Sequence, residues 1–250
     1  MKPRVIVGVD GSAGSTAAVR WAAAEARRRD ADLRVVTAYH QQSAADEERA
    51  AILHDAVTQA RSIAPELDVR CLARPGYAVP VLVQASVEAL LLVVGTRGSA
   101  GLPGRPAGSV SSQVALHARP PVVVVRGRII ALEGSVVVGV DDGPGAAAVL
   151  AQAFEVAALH VAPLLAVTAG RAPKEGDDNL LAPWLRKYPK VTAERRVVDG
   201  HPDRVLVELS RQARLVVVGS RGHGFEGKLL GAVGDRLLQR ADCPVLIARR

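Results

Sequence analysis

The segment Val5-Ile6-Val7-Gly8-Val9-Asp10 decides the fold because it occurs twice, returning as Val136-Val137-Val138-Gly139-Val140-Asp141. Each copy is a short, β-branched apolar run closed by a carboxylate, the pattern of a parallel strand buried on both faces. Further out, Val35-Val36-Thr37-Ala38 recurs as Ala166-Val167-Thr168-Ala169 at the same displacement. Leu92-Val93-Val94-Gly95-Thr96-Arg97-Gly98 recurs as Val216-Val217-Val218-Gly219-Ser220-Arg221-Gly222, with the displacement shortened by seven residues. Pro121-Val122 matches Pro244-Val245, one residue shorter again. Ordered anchors with nearly constant spacing mark a duplication. The boundary falls near Gly127, with Arg128 to Gly134 as a short linker, which predicts domains over 1–127 and 135–250.

Between the anchors, strand and helix signals alternate. In the first copy the spacing predicts strands at Arg4–Val9, Leu33–Tyr39, Asp68–Leu72, Leu90–Gly95 and Val122–Arg126. Ser15 to Arg29 is free of Gly and Pro and rich in Ala, Arg and Glu, so it reads as a helix. Ala44 to Ala64 is a long helix whose Asp46, Glu47 and Glu48 suit the positive end of its dipole. Val79–Glu88 and Ser109–His117 complete the set. The second copy predicts strands near 135–140, 163–168, 191–198, 214–219 and 244–248. Its middle helix is weak, because Pro183 and Pro189 interrupt it. The fold class is α/β: two tandem doubly wound domains, each a parallel sheet covered by helices, with a ligand crevice at the strands' carboxyl ends where the order reverses.

Composition removes several functions. A chain of 250 residues that is 49% hydrophobic and 23% charged is globular, and it has no apolar run long enough to span a membrane. Met1 to Arg4 is basic, but Val5–Val9 is too short for the apolar core of a secretory signal, so a cytoplasmic protein without membrane partners is expected. The net charge of +7 is divided almost evenly between the copies, with no basic tail. At 3% aromatics there are few rings to stack on single-stranded bases, so nucleic acid is set aside and a small anion kept as partner. Cys71 and Cys243 have no metal-ligand spacing and read as buried, inert thiols. The histidines show no metal-ligand pair either, and no nucleophile elbow or Cys-x-x-Cys motif appears, so neither a metal site nor a catalytic residue is assigned.

Gly95, Gly98 and Gly108-Ser109 form the pattern Gly-x2-Gly-x9-Gly-Ser between a strand and a helix. Glycines permit close backbone approach, the loop wraps a phosphate chain, and a helix N-terminus supplies unpaired N–H groups and partial positive charge. The pattern is neither a Walker loop nor a Rossmann fingerprint. Asp10 ends the first strand at the same sheet edge, where a carboxylate accepts hydrogen bonds from ribose hydroxyls. Plainer readings stand beside these. The glycines also suit a tight strand–helix turn, Asp10 a helix N-cap, Ser12 and Ser15 caps, and Arg97 and Arg221 solvated positions.

With Val7-Gly8-Val9-Asp10-Gly11-Ser12, Val93-Val94-Gly95-Thr96-Arg97-Gly98, Gly108-Ser109-Val110-Ser111 and the terminal Pro-Val-Val-Val-Val strand in place, the chain resembles the universal stress protein family in its tandem-domain form. The resemblance implies a five-stranded parallel sheet of order 3-2-1-4-5 in each domain and a nucleotide-binding regulator of the stress response. It also implies ATP as cofactor, with Mg as its optional companion, a pseudo-dimer formed through the last strands, and room for a homodimer. The site it implies comprises Val9, Asp10, Ala38, Val94, Gly95, Arg97, Gly98, Gly108, Ser109, Val110 and Ser111. Ala38 rests on the resemblance alone, whereas Asp10 and the loop follow from the residues themselves.

The second copy departs from this pattern. Its counterpart site would be Asp141, Ala169, Gly219, Arg221, Gly222, Gly231, Ala232 and Val233. The loop before Gly231 is one residue shorter, Ala232 replaces Ser109, Gly234 replaces Ser111, and Ala146 replaces Ser15. A hydrogen bond to a charged group is worth about 1.5–3 kcal/mol, so the second site is expected to be the weaker one. The rival readings are a slow ATPase or nucleotidyl transferase, with Asp10 and Asp142 or Asp235 as its loose metal-holding candidates, and a nucleotide-free association scaffold. The apolar strands Val122–Val125 and Val245–Ile247 would associate to hide their edges.

Overall fold

Strand β1 (Arg4–Gly8) sets the first sheet: Val5, Ile6 and Val7 are all inaccessible to solvent although successive side chains point to opposite faces, so both faces are covered. The computed structural model describes residues 2–39, 46–96, 109–127, 134–141, 143–170, 180–220 and 230–249. The chain divides into two units, Met1–Arg126 and Gly127–Arg250.

In the first unit β1 is followed by α1 (Ala13–Arg28), β2 (Asp32–Tyr39), α2 (Asp46–Ile63), β3 (Val69–Pro75), α3 (Ala78–Ala85), β4 (Leu91–Gly95), α4 (Ser109–His117) and β5 (Val122–Val125). The strands pair in parallel in the order β3-β2-β1-β4-β5, with Val5 opposite both Leu33 and Leu91. The second unit repeats the plan with β6 (Val136–Gly139), α5 (Ala146–His160), β7 (Leu164–Ala169), α6 (Ala182–Lys187), β8 (Ala193–Val198), α7 (Pro202–Ser210), β9 (Leu215–Gly219), α8 (Ala232–Arg240) and β10 (Val245–Ala248). Its order is β8-β7-β6-β9-β10, and Val136 lies opposite both Leu164 and Leu215. Both units therefore have the 3-2-1-4-5 order, and the order reverses between β1 and β4 in one and β6 and β9 in the other. No helix among the described residues is long and apolar enough to cross a membrane.

A repeated contact locks the crossover helices onto these central strands. In the first unit α3 sets Leu82 against Gly8, where a β-carbon would lie 2.9 Å from both leucine methyls and 3.4 Å from Val94 Cγ1. In the second α7 sets Leu206 against Gly139, where a β-carbon would lie 2.7 Å from Leu206 Cδ1 and 3.3 Å from Val218 Cγ1. The strand glycine makes room for the helix leucine in both.

The middle helix of the second unit is short. Pro183 sits in the first turn of α6, where a missing N–H costs nothing, and Pro189 falls beyond its end. What holds it is aromatic: buried Phe154 of α5 stacks on Trp184 at 6.1 Å and on Tyr188 at 5.9 Å between ring centroids.

One expectation is corrected. Cys71 is exposed, not buried, because β3 is the outermost strand of its sheet and its flanks carry Arg70, Arg74 and Pro75 where an inner strand would carry apolar residues. Charge and proline on an outer strand discourage unwanted strand addition. Cys243 is fully buried as expected.

Candidate functional site

The first site element is the turn that follows β1. Val9 is buried and continues the sheet, its N–H donating to the Val36 carbonyl at 2.9 Å. Asp10 comes next, half-buried at the carboxyl edge. Its Oδ1 accepts the Ser12 N–H at 3.1 Å and the Ser12 hydroxyl at 2.6 Å, a side-chain turn that fixes the carboxylate. Ser12, not Asp10, caps α1: its Oγ accepts the Ser15 N–H at 3.2 Å, while Ser15 Oγ and Thr16 Oγ1 both donate to the Ser12 carbonyl. Ser15 lies within the first turn of α1 and is buried. Gly11 has φ +79°, and a β-carbon there would come 3.1 Å from Ile52 of α2, so the turn is also tight against its neighbour.

The second element is the end of β4. Val94 is buried, and Gly95 packs directly on the N-terminus of α1. A β-carbon on Gly95 would overlap the Gly14 carbonyl and lie 3.0 Å from Ser15 N. The end of β4 and the first turn of α1 thus approach backbone to backbone at the point where the strand order reverses. Sequence reasoning assigned Gly95 to phosphate approach and missed this contact. The signal for it was Gly14, one residue before Ser15.

The third element is helix α4, which follows β4 in the chain. α4 begins at Ser109, as the spacing predicts; Val110 in its first turn is exposed and Ser111 is buried. Ala38 occupies the penultimate position of β2, half-buried, opposite Arg74 of β3. The structure therefore brings Val9, Asp10, Ala38, Val94 and Gly95 to one carboxyl edge. Arg97, Gly98 and Gly108 lie outside the described residues.

The second unit keeps the skeleton of this arrangement with fewer polar groups. Asp141 Oδ1 accepts the Gly143 N–H at 3.0 Å, the same turn as Asp10 and Ser12 but with no hydroxyl to add. Asp141 is correspondingly exposed. Helix α5 starts at Ala146 behind Gly145, with no side-chain cap. Val140 donates to Val167 at 2.9 Å, Ala169 ends β7 and Gly219 ends β9. Gly231 caps α8, which opens with Ala232 and Val233, and its N–H donates to the Ser220 carbonyl at 3.4 Å. Arg221, Gly222 and Asp142 lie outside the described residues.

Chemically, the first edge offers a fixed carboxylate acceptor, and the nine-residue helix α4 that follows β4 offers its N-terminus, a set that suits a polyphosphate with a hydroxylated sugar. Among the described residues no group of three or more His, Cys, Asp or Glu gathers to hold a metal ion. A separate cavity of about 210 Å³ opens at the opposite, amino-terminal edge, lined by Lys2, Arg4, Asp32, Leu33, Arg34 and Arg70. Lys2 pairs there with Asp30, Arg4 with Glu88 and Arg70 with Asp68, and the hydrogen bonds to Asp30 and Asp68 push the Lys2 and Arg70 pKa values up. These cations already have carboxylate partners.

The model of the universal stress protein family matches the chain twice, over residues 1–126 and 134–249. The chain belongs to the universal stress protein family. Its similarity to other members runs end to end. It is 35% identical to the universal stress protein Rv2623 of Mycobacterium tuberculosis, over 98% of this chain and 96% of that one. With Rv2005c, a universal stress protein of the same organism, identity is 33% over 100% and 99% of the two chains. Among solved structures, a universal stress protein from Archaeoglobus fulgidus has the same fold, with a TM-score of 0.80 at 17% identity over 99% of this chain and 96% of that chain.

Proposed function

We propose that this universal stress protein binds ATP at the carboxyl edge of its first unit and acts as a nucleotide-dependent regulator. The observation that carries the reading is the join at the reversal of strand order. Asp10 is held by Ser12, Gly95 rests on Gly14, and the N-terminus of α4 follows in the chain. In this reading Asp10 accepts from the ribose, Ala38 meets the adenine through its backbone, and Gly95 with the first turn of α4 faces the phosphates. Mg enters, where it enters, on the phosphate oxygens. Arg97, Gly98 and Gly108 complete the loop.

The second unit is the weaker site. It keeps Asp141, Ala169, Gly219 and Gly231 but lacks the hydroxyls that surround Asp10 and open α4 in the first unit. Losing one charged hydrogen bond weakens binding roughly tenfold.

Two measurements test this. Heat-denaturing the purified protein and analysing the supernatant separates the readings: intact ATP supports a binder, ADP or AMP a slow hydrolase, and no nucleotide together with no thermal shift on adding ATP a scaffold. Binding of ATP raises the stability of the folded chain by mass action, so the thermal shift grows with ATP concentration. Calorimetric titration then ranks the sites. Asp10→Ala is expected to remove the tighter binding and Asp141→Ala to spare it; the reverse overturns the ranking. The proposal extends to association through the last strands and to homodimer formation, for which light scattering on the full chain gives the oligomeric mass.

A further inference from the structure

We infer that Tyr77 is a base-stacking residue that selects the nucleobase at the first unit's site, an assignment that rests on the nucleotide reading above. Tyr77 stands immediately before α3, after the turn made by Pro75 and Gly76. Gly76 has φ +130° and its N–H donates to the Tyr39 carbonyl at 2.9 Å. That bond ties the residue before Tyr77 to the residue after Ala38, at the carboxyl end of β2. Helix α3 then runs back across the sheet to place Leu82 on Gly8, two residues before Asp10. Tyr77 therefore sits at the carboxyl edge, beside the strand ends that carry Ala38 and Asp10.

At this place a large ring is 73% exposed. Leu82 is the buried residue of α3. The second unit repeats the device in altered form. Gly200, with φ +118°, precedes exposed His201, which stands immediately before α7. Gly170 at the end of β7 donates to Val198 there. In both units a positive-φ glycine thus delivers a flat, conjugated side chain to the same corner of the edge. Stacking of a base on an aromatic face is tolerant of base identity in general but strongest for the larger purine surface, so the ligand class it favours is a purine nucleotide.

Calorimetry on the full chain tests this with ATP, CTP and inorganic triphosphate. The wild-type protein is expected to prefer ATP over CTP. Tyr77→Ala should weaken ATP about tenfold or more and narrow the ATP-to-CTP preference, while leaving triphosphate binding unchanged. Tyr77→Phe keeps the ring and should bind ATP as the wild type does. Unfolding without ligand is followed in all three proteins, so that a change in folded fraction is separated from a change in affinity. Wild-type ATP affinity in Tyr77→Ala overturns the stacking assignment alone, as does equal weakening of ATP and triphosphate, or loss of ATP binding in Tyr77→Phe. A wild-type chain that binds no nucleotide overturns the nucleotide reading, and stacking with it.

Discussion

Gly95, at the end of β4, rests on the carbonyl of Gly14 in the first turn of α1, so close that no side chain fits between them. The consequence is mechanical. The loop that leaves β4 starts from a point defined by the helix that follows Asp10, and the two halves of the candidate site share a backbone contact.

Gly95→Ala should therefore damage both stability and binding. The added methyl meets backbone rather than a flexible side-chain tip, so the α1 N-terminus must shift, and overpacking of this kind costs about 1–3 kcal/mol. Urea unfolding with ATP titration in parallel checks it. A variant as stable as the wild type, with unaltered ATP affinity, contradicts the contact.

The Gly8–Leu82 pair behaves differently, because there the obstacle is a side chain. Gly8→Ala is expected to destabilise by crowding and Leu82→Ala by about 2–5 kcal/mol through the cavity it opens. In the double variant the new methyl takes part of the vacated space. The pair should be more stable than the sum of the single changes by about 1 kcal/mol or more. Gly139 and Leu206 should give a coupling of the same sign, and strict additivity at either pair would remove the contact from the account.

Ser12→Ala withdraws the cap of α1 and a hydroxyl donor to Asp10. The cap alone is worth about 1 kcal/mol, which for a protein of this length lowers the melting temperature by about 2–4 °C. Affinity for ATP should fall as well, since Asp10 loses its hydroxyl partner. Thermal melts with and without nucleotide separate the two effects.

Cys71 makes a pH-dependent prediction. Although Cys71 is exposed, the protein packed around it strips enough water to disfavour its thiolate and raise its pKa above the ordinary thiol value. It should therefore react with a disulfide reagent more slowly than a cysteine in an unstructured peptide at neutral pH, catching up only as the pH climbs past the ordinary range. The stability linked to this group is complete below the unfolded thiol's pKa and is lost as pH rises through the raised folded value. Cys243, fully buried, should label only after unfolding. Faster labelling of Cys71 than of the peptide would reverse the sign.

Why some of this was legible in the chain, and some not, follows from the reach of the interactions. β1 and β6 announce themselves because buried parallel strands are continuous apolar runs, and the same run occurs twice. The start of α4 at Ser109 follows from a Gly–Ser boundary. Strand β3 runs on to Pro75, beyond the expected Leu72, because pairing with β2 extends it and no local residue encodes that partner. Cys71 was misplaced for the same reason: alternation reports which face a residue takes, not whether a helix covers that face. Within the site, Asp10 and Gly95 could be named from spacing, but the identity of their neighbours could not. Ser12 as cap depends on local chemistry that also fits Asp10, and the Gly14 contact joins residues far apart in sequence.

The turn after β1 and its counterpart after β6 make the chain a two-row comparison of itself. The carboxylate-to-N–H bond appears in both rows, at Asp10 and Asp141, whereas the hydroxyl bond and the serine cap appear in only one. The aspartate turn is thus common property of the two sheet edges, inherited by each copy, while the serine shell belongs to the first copy alone.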